Sequence, residues 1–182
     1  MSKPCPTEHP LVKAVIETFD ARIVNVATKQ NDKMALWNAV CETDPAHTKQ
    51  VNQRGGFTAI DAQYQVRLAT EQFGPVGEGW GYEVVHGTID GGDTLLASAD
   101  VVMWHGKRDN TFGPERGIAP LVKGGRVDDD AAKKATTNAL TKLLSRLGFN
   151  ADVFLGLYDD NQYVNDMRAK KAAENDPPAS GE

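Results

Sequence analysis

The chain has 182 residues, 40% hydrophobic and 25% charged, with a formal net charge of -5 at pH 7. That balance fits one soluble domain with a sizeable core and excludes both a disordered chain and a protein that coats nucleic acid with its whole surface. No apolar run approaches the roughly 20 residues of a membrane span, and two cysteines, Cys5 and Cys41, are too few for a disulfide framework.

The N-terminus, MSKPCPTEHP, carries three prolines and no apolar signal core. Residues 1–10 therefore read as a flexible arm, and a reducing cytoplasm is the expected compartment. Leu11, Val12, Val15, Ile16, Phe19 and Ile23 mark one stripe of a helix from Leu11 to about Ala27. Asp32 is placed to cap a second, short helix holding Ala35, Leu36, Trp37 and Val40. From Glu42 to Gly56 the composition turns polar, and QVNQRGGF reads as a loop. Asp61 is the expected cap of a helix running to Phe73, with Tyr64, Leu68 and Phe73 inward and Gly74-Pro75 ending it.

After GPVGEGWG the period changes from 3.6 to 2. WGYEVVHGTI and TLLASADVVMW read as strands joined by the turn DGGD, and a third strand is expected between Asn110 and Leu121. Lys123 to Arg126 form a basic glycine loop. Asp128 to Asp130 sit where carboxylates favour a helix N-terminus, and that helix runs to Gly148. ADVFLGLYDD is expected to pack on as a short apolar segment, and residues 165–182 read as a polar, disordered tail. The order is N-terminal helices, helix, three-stranded antiparallel β meander, long helix. It defines an α+β fold in one domain spanning 11–164.

The long helix poses the functional question. Ala135, Ala139, Leu140, Leu143, Leu144 and Leu147 line its inner stripe, whereas the rest carries Lys133, Lys134, Lys142 and Arg146 among Thr137, Asn138, Thr141 and Ser145. From Lys123 to Arg146 there are six Lys or Arg against three Asp, and all three Asp precede the helix body. A solvated face ordinarily mixes signs to gain i,i+4 pairs, so an acid-free face points to an anionic ligand. Cations meet phosphates as point charges, and hydroxyls and amides add hydrogen bonds. Arg54, beside Gly55 and Gly56, and Arg67 are further candidates for phosphate contact, without any nucleotide-hydrolysis motif. Trp80 reads as core, and Trp104 as either core or a base-stacking ring.

Bond chemistry finds little support. His9, His47, His86 and His105 have no metal-ligand spacing, no serine or cysteine sits in a nucleophile motif, and Asp128 to Asp130 read as helix capping. The chain is expected to be no enzyme and to need no metal or cofactor.

Two blocks, IDAQYQVRLATEQFGPVGEGW (60–80) and DDDAAKKATTNALTKLLSRLGFNADVFLGLYDD (128–160), together resemble the phage Sak-type single-strand annealing proteins, within the superfamily of the eukaryotic Rad-fifty-two recombination mediator. The shared features are Phe73-Gly74 ending a helix, Gly79-Trp80 opening the meander, and an Ala/Thr/Lys/Leu helix from Ala132 to Gly148. The resemblance implies a ring or helical homo-oligomer in a bacterial host's cytoplasm that holds single-stranded DNA without ATP. Its partners would be a phage exonuclease or a single-strand binding protein. The candidate DNA contacts, from the residues and this resemblance together, are Arg54, Arg67, Lys123, Arg126, Lys133, Lys134, Thr141, Lys142 and Arg146. The family's groove arginine falls on Tyr64 and its helix lysine on Thr141, with Arg67 and Lys142 the nearest cations. The alternative expectation is a double-stranded RNA-binding or protein-interaction module of α-β-β-β-α type.

Overall fold

Alternation after Gly79 builds an antiparallel sheet of three strands, β3 (Trp80–Asp90), β4 (Leu95–His105) and β5 (Thr111–Pro120), in the order β3-β4-β5. The computed structural model describes residues 33–52, 56–123 and 125–175. The chain divides into two compact units, Met1–Ala35 and Leu36–Glu182, and the second holds the sheets and long helices. The helix expected from Leu11 to Ala27 and its neighbour's cap at Asp32 lie outside the described residues, as does Arg54.

α1 spans Ala35–Val40. A 3-10 turn at Pro45–His47 leads into a hairpin, β1 (Thr48–Val51) with β2 (Phe57–Ile60). The polar composition predicts a loop here. Thr48, Lys49 and Gln50 are polar throughout and give no alternation, so only the pairing with Phe57–Ile60 makes them a strand. α2 (Ala62–Phe73) starts as expected, the Asp61 carboxylate accepting from the Gln63 N–H at 2.9 Å. The basic glycine loop is also a small hairpin, β6 (Val122–Lys123) with β7 (Arg126–Val127).

α3 (Ala131–Arg146) lies over β4 and β5. Its Ala135, Ala139 and Leu143 meet the sheet's Ala97, Ala99, Val101 and Met103 in a core where all but Ala97 are fully buried. Small residues on both sides bring the helix close. α3 ends at Gly148, whose φ of +100° few side chains tolerate and whose Cα faces Trp37.

Two departures follow at the C-terminal end. α4 (Ala151–Phe154) and a 3-10 turn (Leu157–Asp159) bury Ala151, Asp152 and Tyr158, but leave Phe154, Leu155 and Leu157 exposed, against the expected apolar packing. α5 (Asn161–Asn175) occupies much of the stretch read as a disordered tail. Its Met167 is buried and its Tyr163 hydroxyl donates to Asp152, so tertiary anchoring makes a helix that its weak apolar period does not announce.

The two edges of the main sheet differ. On β5 the outward carbonyls of Ile118 and Arg116 accept from Asn138 Nδ2 (3.0 Å) and Lys142 Nζ (3.4 Å) of α3. Pro120, in register beyond them, has no N–H to offer. On β3, bonds from Gly91 N to Thr94 O and from Gly106 N to Gly79 O bracket the ladder. Even-numbered residues therefore point their backbone away from β4. From Tyr82 to Thr88 these groups have no backbone partner among the described residues.

Candidate nucleic-acid interface

A helix repeats its surface every four residues with a small drift, which sorts α3 into rows. Ala135, Ala139, Leu143 and Leu147 face the core. Lys133, Thr137, Thr141 and Ser145 form a second row, and Lys134, Asn138, Lys142 and Arg146 a third that is exposed along its length. From Lys134 to Arg146 the third row extends about 18 Å along the axis.

Beside these rows lies a solvent-open cavity of about 560 Å³. Thr137, Asn138 and Thr141 form one wall, β2 from Phe57 to Ile60 another, and Val153, Phe154, Tyr158 and Asp159 the third. Phe57 and Phe154 are half exposed. Among the described residues the lining combines hydroxyl, amide, backbone and aromatic groups with the aliphatic Ala59, Ile60, Ala62 and Val153, and it includes one carboxylate and no cation. Such a surface suits stacking and hydrogen bonding, and the described cations of α3 lie at its borders.

Those borders are less basic than the sequence reading held. The α3 cations do have acidic partners, supplied from outside the helix body. Lys133 pairs with Asp130 at 2.7 Å and Lys134 with Asp128 at 2.6 Å. Lys142 lies 3.6 Å from Glu115, which Arg146 also grips. Glu115 comes from β5, so the helix sequence could not reveal it. The hydrogen bond to Asp128 raises the Lys134 pKa, holding its charge. All four cationic side chains remain at least half exposed, whereas Glu115 is 13% and Asp128 18% exposed.

The remaining expected contacts scatter. Arg67 pairs with Glu71 at 2.7 Å and borders a separate hollow with His47 and Tyr64. It does not join the α3 cavity. Tyr64 is buried, stacks on His47 with centroids 4.2 Å apart, and accepts from the Asp44 N–H. Lys123 and Arg126 face each other in the β6–β7 register, and the Arg126 side chain is exposed. Trp80 is fully buried, as read. Trp104 is buried too, under the Arg108 guanidinium at 5.0 Å, which removes it as a stacking platform.

Thr141 has a structural task. Its hydroxyl donates to Gln65 Oε1 at 2.9 Å, and Gln65 Nε2 donates to Asn150 Oδ1 at 3.2 Å. Asn150 Nδ2 donates to the Thr43 hydroxyl, which donates at 2.5 Å to Asp152. The Asp152 carboxylate also accepts from the Thr43 N–H and the Tyr163 hydroxyl. Gln65, Asn150, Thr43 and Asp152 are all buried. This chain ties the cavity wall to α2, α5 and the segment before β1. Burial and the neighbouring Asp152 carboxylate push the Tyr158 and Tyr163 hydroxyls up, so both stay protonated donors. Gln65 and Asn150 carry no sequence signal beyond being polar, so only the structure singles them out.

Among the described residues no group of three His, Cys, Asp or Glu is placed to hold a metal ion, and no helix is long and apolar enough to cross a membrane. No protein-family model matches the chain, and no curated protein matches it.

Proposed function

We propose that the chain binds single-stranded DNA along the third row of α3 and the adjoining cavity, and anneals complementary strands without ATP as part of an oligomer in phage recombination. One observation supports this most. An exposed row of three cations and an amide flanks a cavity lined by hydroxyl, amide, aliphatic and aromatic groups. Backbone phosphates would exchange for carboxylates on Lys134, Lys142 and Arg146, while bases stack at Phe57 and Phe154. The open edge of β3 is where a strand of a second copy would add, and oligomerisation would align several short cavities into a longer track.

The test is annealing of complementary oligonucleotides without ATP or magnesium, joined to a salt titration. Lys134→Ala with Lys142→Ala is expected to weaken binding to all sequences alike. It should also flatten the logarithmic salt slope by about one unit per lost phosphate contact. An unchanged slope removes these lysines from the interface, and equal preference for duplex RNA returns the α-β-β-β-α RNA-binding reading.

A further inference from the structure

We propose that Glu115 and Asp128 are built-in competitors of phosphate, carboxylates that hold the two ends of the α3 cationic row and set how tightly and how salt-dependently it grips an anionic backbone. This rests on the single-stranded DNA reading above.

The asymmetry within each pair carries the inference. The Lys142 and Arg146 side chains are 54% and 62% exposed, yet the Glu115 carboxylate between them is 13% exposed. Lys134 is 50% exposed and its partner Asp128 only 18%. A ligand can therefore reach the cations while the carboxylates stay fixed in place. Lys133 differs, because its partner Asp130 is itself 53% exposed and can turn out into water.

A phosphate arriving at Lys142 or Arg146 meets two opposing effects. It gains the cation, and it leaves Glu115 half-buried with less compensation and close to a second negative charge. The ends of the row are thus discounted and its middle, Asn138, is neutral. Glu115 cannot retreat, being anchored on a strand whose next carbonyl, Arg116 O, already binds Lys142. The arrangement favours a grip loose enough to release a strand once it has found its complement.

Salt dependence separates this from simple charge counting. Each phosphate neutralised by a protein cation releases a counterion from the DNA. A carboxylate uncovered in the same event collects a counterion from solution, so the net release falls short of the contacts made. Replacing the carboxylate by its amide removes that uptake without changing side-chain volume.

The experiment measures binding of a labelled oligo-dT of about 30 nucleotides by the full chain, Glu115→Gln and Asp128→Asn, across about 50 to 300 mM salt. Each variant is expected to bind about three- to tenfold tighter at low salt, with a slope steeper by up to about one unit. Thermal melting of each variant accompanies the titration. Unchanged affinity and slope, or weaker binding by a folded variant, overturns the inference, weaker binding because it makes the carboxylates organisers of the cations. Asp128→Asn carries the test alone if Glu115→Gln fails to fold. An unmodified chain that binds while folded variants match it defeats the inference and spares the functional reading. Failure of all three to bind defeats both.

Discussion

Gly117 on β5 lies against the backbone of Ala135 on α3. A Cβ on Gly117 would stand 1.9 Å from the Ala135 carbonyl oxygen and 2.7 Å from the Ala139 nitrogen. The obstacle is helix backbone, which cannot rotate away as a side chain can. Gly117→Ala should destabilise the fold by about 3 kcal/mol, since the helix must lift from the sheet and open the alanine seam beneath it. Urea denaturation measures this, and a loss below about 0.5 kcal/mol would mean the helix tolerates a wider separation.

Thr141→Val should leave Gln65 Oε1 buried without its donor. The expected loss is about 1–2 kcal/mol, the desolvation cost of one orphaned acceptor. Thr141→Ser keeps the hydroxyl and should recover most of it. Because the Thr141 hydroxyl is spent on Gln65, neither variant should alter the salt slope of oligonucleotide binding. A changed slope for Thr141→Val with preserved stability would return Thr141 to the interface.

His105 stacks on Phe73, with centroids 4.7 Å apart, and meets Phe112 edge-on. Desolvation there lowers its pKa below the ordinary histidine range. The unfolded chain therefore takes up a proton at a higher pH than the folded one. The stability this provides is intact above the unfolded value near 6.5, and it is lost as pH falls through that value toward the lower folded one. Unfolding curves between about pH 7.5 and 5 should show His105→Gln losing less stability on acidification than the unmodified chain. Parallel pH profiles would assign the acid sensitivity elsewhere.

Thr88 is exposed on β3 with its backbone turned away from β4. Proline at this position removes an outward N–H and leaves the β3–β4 ladder in place. If copies join along this edge as proposed, Thr88→Pro should keep the fold and reduce the size of the assembly, read by sedimentation velocity. A full-sized assembly from a folded Thr88→Pro variant would place the joint between copies on another surface.

Local chemistry explains why some elements could be read directly. Asp61, the apolar stripe of α2 and Gly74 are contiguous, so α2 carries its own start, face and stop; α3 carries its inner row and its stop at Gly148, but its N-cap residue Asp130 makes no side-chain capping bond and pairs with Lys133 instead. The β3–β4 hairpin likewise announces itself through alternation and the glycines of DGGD. The β1–β2 hairpin and α5 were not legible in this way. Both are short of periodic apolar residues: β1 becomes a strand by pairing with β2 across a short turn, and α5 is held by its buried Met167 and by Tyr163 on Asp152.

The sequence by itself determined the order of α2, the three-stranded meander and α3, the core faces of the two helices, and the lysines and arginine on the outer face of α3. Only the tertiary structure decided what those cations already hold. Glu115 lies some 30 positions before Arg146, and Gln65 is 76 positions from Thr141. Charge and hydrogen bonding act through space within a few ångströms, whereas periodicity along a chain reports only neighbours a turn or a pleat away.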